Sequence, residues 1–123
     1  MSAGIVDTTV ILHYFRKNTE ARAWVDSQSR QLSVTSTTWL EVMEGVSSKN
    51  AQAYCKSILD KFEMLYLTTA DQQRLEQFQF SHHIGMDDCM IASVAYRLGL
   101  PLYTHNLKDM TPLIGKLATK PYE

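Results

Sequence analysis

Short apolar and β-branched runs alternate with helix-length amphipathic segments along the chain, and this alternation constrains the fold more than any other feature. Ile5-Val6 ends at Asp7, and Thr8 is placed to cap a helix in which Val10, Ile11, Tyr14 and Phe15 fall at helical spacing. Residues 19–30 read as a second, more polar helix, and 31–35 alternate at period two as a strand does. Thr38-x-x-Glu41 has the spacing of a capping box, which predicts a third helix starting there and continued by Leu40, Met43 and Val46. A fourth helix is predicted over 51–62, a strand over 64–67, and a fifth helix over 70–80 capped by Thr68 or Thr69. The stretch 87–98 is rich in small apolar residues and closed by Gly99, so it is expected to be the most buried helix. A strand over 101–104 follows, then a polar loop over 104–109 and a tail whose one short apolar segment is Leu113-Ile114. Strands joined through helices need crossover connections. The expected class is therefore α/β: a three-layer α/β/α sandwich with a mostly parallel central sheet.

At 123 residues, with 45% apolar and 20% charged side chains, residues 1–123 are expected to form a single domain able to bury its own core. A formal net charge of −1 leaves no overall basic field, so any grip on nucleic acid has to be local. Cys55 and Cys89 make neither a disulfide framework nor a paired zinc motif, which fits a reducing compartment. There is no basic leader with a long apolar run and no stretch of about 18 apolar residues, so the expectation is a soluble, cytoplasmic chain without a membrane partner.

In a parallel sheet, ligands gather beyond the carboxyl ends of the strands, and the polar residues that follow strands are the ones to examine. Asp7 ends the first strand; an Asp there can also cap the next helix, but Thr8 and Thr9 are available for that. Glu41 lies just inside the third helix, where its plainer role is reciprocal capping with Thr38. Asp87 and Asp88 open the sixth helix. Asp88 shares its stripe with the smaller residues Ile91, Ala92 and Ala95, which favours Asp88 as the one facing the sheet edge. The loop around Thr104, His105, Asn106, Lys108 and Asp109 directly follows a strand. Acids at successive strand-to-helix edges repel one another unless a cation neutralises them. An all-oxygen donor set without His or Cys suits Mg2+ or Mn2+. His13, His82, His83 and His105 lack metal-motif spacing, and Cys89 reads as a small core residue.

These residues resemble the PIN domains, and within them the VapC-type ribonuclease toxins of prokaryotic toxin–antitoxin pairs. The resemblance spans nearly the whole chain. It rests on Ile5-Val6-Asp7-Thr8-Thr9-Val10, on Thr35 to Glu41 with Gly45, on Asp88-Cys89-Met90-Ile91-Ala92, and on Thr104-His105-Asn106-Leu107-Lys108-Asp109. It implies a PIN-like fold and metal-dependent endonucleolytic cleavage of RNA, with Asp7, Glu41 and Asp88 as catalytic and metal-holding residues. It also selects Asp88 over Asp87. Thr9, Thr104, Asn106 and Asp109 would support the active-site loop; Asn106 stands where many members carry a fourth acid, and Asp109 can supply that charge. Met110 replaces the usual Phe. Arg16, Lys17, Lys108 and Lys116 are candidate substrate-binding cations, each otherwise a solvated surface residue. The resemblance further implies a small antitoxin partner and a homodimer. A catalytically weak PIN-like module that binds RNA or protein is the alternative. A haloacid-dehalogenase-like phosphatase would need a second Asp where Thr9 stands.

Overall fold

The computed structural model describes residues 2–123. One sheet contains β1 (Ile5–Val6), β2 (Ser33–Thr35), β3 (Glu63–Leu65), β4 (Leu102–Tyr103) and β5 (Ala118–Thr119). All neighbours pair in parallel, in the order β3-β2-β1-β4-β5. The helices are α1 (Thr8–Phe15), α2 (Thr19–Ser27), α3 (Ser36–Glu44), α4 (Lys49–Leu59), α5 (Thr69–His82), α6 (Met86–Leu98) and α7 (Leu107–Ile114). The expected three-layer α/β class is the observed one.

Side-chain alternation along very short strands divides the core between the two faces of the sheet. Ile5 and Leu102 point into a cluster with Leu75 and Phe78 of α5, Ile91 and Val94 of α6, and Met110 of α7. Their neighbours Val6 and Tyr103 face the other side, where Val10 and Ile11 of α1 meet Val34, Ile58 and Leu59. Burial on both faces explains why these strands are apolar without long alternation. Helix α6 is deeply buried, as its small residues predict: Cys89 and the run Ile91, Ala92, Ser93, Val94 and Ala95 are all inaccessible. Gly99 closes it in the left-handed conformation, with φ of 64°.

The structure differs from the sequence reading in several places. Helix α3 begins at Ser36, not Thr38, and its N-cap is Thr35, whose hydroxyl accepts the Thr38 N–H at 3.3 Å. Thr38 therefore lies inside the helix and makes no capping box with Glu41. The capping box found among the described residues is Thr68 with Asp71, at the start of α5. Helix α2 stops at Ser27, short of the expected boundary. Beyond Asn106 the chain forms α7 and then β5, where only a loop and tail were expected. Met110, Leu113 and Ile114 bury one face of α7 in spite of Pro112, and β5 exists because β4 offers it a free edge.

Chain order runs from β1 outward to β3 and then returns to place β4 on the other side of β1, so the order reverses at the β1–β4 boundary. The crevice beyond the carboxyl ends of these two strands is where this architecture accommodates a ligand. Because Ile91 is 1% exposed in the α5–α6–α7 core, Ile91→Ala is expected to cost about 2–5 kcal/mol, read as a lower urea midpoint with an unchanged slope.

Candidate functional site

Asp7 and Thr104 immediately follow β1 and β4, and they meet across the crevice: the Thr104 hydroxyl donates to Asp7 Oδ2 at 2.7 Å. Asp7 is 3% exposed. Its Oδ1 accepts the Thr8 N–H at 2.8 Å and its Oδ2 also accepts the Thr9 hydroxyl at 3.2 Å. An N-cap side chain usually serves the second or third helical N–H. Asp7 instead takes only the first, which leaves its other oxygen turned toward Thr104. Asp7, where Thr8 was expected, is thus the N-cap of α1, and its second oxygen is turned to the strand ends.

Asn106 continues the arrangement from β4. Its backbone N–H donates to Thr104 Oγ1 at 2.9 Å, so the Thr104 hydroxyl links the loop to Asp7. The Asn106 amide donates to Asp88 Oδ2 at 3.2 Å and to Asp109 Oδ2 at 3.3 Å, instead of capping α7. Asp88 is half-buried on the first turn of α6. Burial, followed by the charges of Asp7, Asp109 and Asp87, pushes its carboxyl up to about 6.

Glu41 reaches the group from α3, where its Oε1 accepts the Thr8 hydroxyl at 2.6 Å. Its carboxyl is also raised, first by burial and then by Asp87 and Asp7, while the bond from Thr8 works the other way. Asp87 acts on Glu41 through its charge. Both members of the Asp87-Asp88 pair thus act on the site, although the stripe argument favoured only Asp88. Adjacent first-turn residues lie about 100° apart, and both can overhang a helix start.

The structure brings together Asp7, Glu41, Asp88, Thr9, Thr104, Asn106 and Asp109, and adds Asp87, Thr8 and Thr38. Lys108 is exposed on the first turn of α7, beside Asp109. Arg16 and Lys17 lie past the far end of α1, about 12 Å of helix from Asp7. Lys116 lies past the far end of α7. His105 turns to an aromatic group with Tyr122 and His13, at centroid distances of 4.6 Å and 5.5 Å.

None of the ion pairs found among the described residues involves a carboxylate of this cluster. The cluster is also open: among the described residues, no three His, Cys, Asp or Glu side chains stand close enough to grip one ion as they are. Its donor chemistry nevertheless suits a hard divalent cation, since all the donors are oxygens and the charges of neighbouring acids add to the burial that raises Glu41 and Asp88. Among the described residues, no helix is long and apolar enough to cross a membrane.

The parallel sheet with its reversal point and convergent acids defines a class of α/β protein whose ligand sits at the strand ends. Residues 4–108 match the PIN domain family model, and the chain belongs to that family. No curated protein matches significantly. Among solved structures, a toxin–antitoxin complex from Klebsiella pneumoniae contains a chain 22% identical, with 98% of each chain covered and a TM-score of 0.85. VapBC2 from Rickettsia felis, bound to a DNA fragment from its promoter, is 18% identical over 97% of this chain and 98% of that one, with a TM-score of 0.80. DNA-bound VapBC from Salmonella typhimurium is 24% identical over 94% and 95%, with a TM-score of 0.75. These likenesses establish the shared fold.

The Asp88 shift has a sign that can be measured. A carboxyl held at about 6 in the folded chain, against 3.8 in the unfolded one, binds its proton more tightly when folded, so its contribution to stability falls as pH rises between those values. Asp88→Asn removes the titration. In EDTA the variant is expected to melt above wild type at about pH 8, with the gap closing below about pH 4; thermal unfolding across that range checks it.

Proposed function

We propose that the chain, acting as one nuclease domain, is a VapC-type toxin: a cytoplasmic endoribonuclease that needs Mg2+ or Mn2+ and is restrained by a small antitoxin. The observation that carries this reading is the set of convergent, unneutralised carboxylates at the β1–β4 strand ends. Asp7, Glu41 and Asp88 would hold the cation, with Asp109 and Asp87 adding negative charge around it. When bound, such an ion lowers the pKa of water and neutralises charge on a phosphodiester. Hydrolysis puts a water oxygen on phosphorus and releases one ester oxygen as an alcohol.

The chain's own residues would supply position. Thr104 and Thr9 fix the Asp7 carboxylate through their hydroxyls, and Asn106 ties Asp88 to Asp109. Lys108 is exposed on the first turn of α7, next in sequence to Asp109, so among the candidate cations it is the one nearest along the chain to the acids and best placed to meet a substrate phosphate. Arg16 and Lys17, past the far end of α1, would reach only a more distant part of an RNA. Exposed Leu40, Tyr66 and Phe80 support protein contacts, which fits both an antitoxin and a homodimer. The names of the solved neighbours, toxin–antitoxin complexes, support the same partner class.

Cleavage of a mixed RNA pool by the purified, antitoxin-free chain tests the proposal, with Mg2+, Mn2+ or EDTA. Cleavage is expected with either metal and not with EDTA, and Asp7→Asn is expected to lower it about 10²–10³-fold while leaving the chain folded. Lys108→Ala is expected to raise KM several-fold with kcat nearly unchanged. A folded protein that cleaves no RNA with any metal would instead support the binding-module reading.

A further inference from the structure

Thr38 is fully buried on α3, and no capping role accounts for its hydroxyl. Its Oγ1 lies 2.9 Å from Thr8 Oγ1, which in turn donates to Glu41 Oε1 at 2.6 Å. A hydroxyl has one proton, and Thr8 gives its proton to the carboxylate. At the contact with Thr38, Thr8 must therefore accept and Thr38 must donate. The Thr38 oxygen is left to accept from the Thr35 hydroxyl at 3.5 Å. Three hydroxyls thus form a directed chain, Thr35 to Thr38 to Thr8, that ends on Glu41. Thr35 and Thr8 are themselves 1% and 9% exposed, so water has little access to substitute for a missing link.

We infer that Thr38 is a positioning residue for Glu41: through Thr8 it orients the donor that holds the Glu41 carboxylate facing the strand ends. Glu41 needs such a hold because Asp87 and Asp7 both repel it, and Thr8 is its only hydrogen-bond donor found among the described residues. Without the Thr38 proton, the Thr8 hydroxyl is free to rotate and donate elsewhere, and a long carboxylate side chain flanked by like charges swings outward. The chain also joins α1 to α3, tying Glu41 to Thr8, the neighbour of Asp7, across 33 residues of sequence. This inference rests on the metal reading above and names a residue that reading does not use.

Titration of the purified protein with Mn2+, followed by calorimetry, tests it, with metal-free thermal unfolding of each variant alongside. Thr38→Val, which swaps the hydroxyl for a methyl at nearly constant volume, is expected to bind Mn2+ about 10–100-fold more weakly, and Thr38→Ser is expected to bind as wild type does. A packing role predicts the opposite order, with the serine variant impaired and the valine variant normal, and that result would overturn the inference. So would equal Mn2+ affinity in wild type and Thr38→Val. Should Thr38→Val fail to fold, Thr38→Ala takes its place, with the same loss expected and wild-type affinity again contradicting the proposal. A folded wild type that binds no Mn2+ would overturn the metal reading itself, and this inference with it.

Discussion

In a parallel sheet, a helix that leads out of one strand or into the next starts at the carboxyl edge, and the site in this protein depends on that constraint. Helix α1 starts one residue after β1, α7 starts shortly after β4, and α6 leads into β4 and so starts at the same edge. Asp88 and Asp87 lie on the first turn of α6 and Asp109 on the first turn of α7, while Asp7 is the N-cap of α1. Helix N-termini carry partial positive charge, which partly offsets the cost of gathering carboxylates there. The sheet therefore makes an acidic cluster geometrically natural and electrostatically tolerable, without a Lys or Arg partner.

The offset is incomplete: burial first, and then the charges of the neighbouring acids, raise the Asp88 and Glu41 carboxyls. Hydroxyl and amide donors from Thr8, Thr104 and Asn106 hold the acids in place without neutralising them. This arrangement gathers negative charge without a basic partner, at some cost to stability. The two apolar clusters on either face of the sheet supply the stability that lets the edge tolerate it.

Much of this was legible in the sequence, for identifiable reasons. Asp7 and Thr104 follow strands directly and Asn106 lies two residues further on, so knowing where strands end was enough to place them. The burial of α6 was readable from its small residues. Other features depended on distant partners. The Thr38-x-x-Glu41 spacing was visible, but its meaning lay in Thr8, 30 residues upstream of Thr38, and local reasoning turned it into a helix cap. Asp87 and Asp88 could not be separated by periodicity, and both turned out to act on the site. Strand β5 is two residues of Ala and Thr, with no pattern of its own, and it exists through pairing with β4. Helix α7 was obscured by Pro112 and by the polar residues that lead into it.

The proposal that these crowded carboxylates take a divalent cation requires that protons leave when the cation binds. It is tested most directly by counting protons released when Mn2+ binds, from calorimetry in buffers of different ionisation enthalpy. Near pH 6, where Asp88 is partly protonated, binding is expected to release a measurable fraction of a proton, and the release is expected to fade by about pH 8. Mn2+ binding with no proton release at either pH, or no binding by the folded chain, would contradict the account.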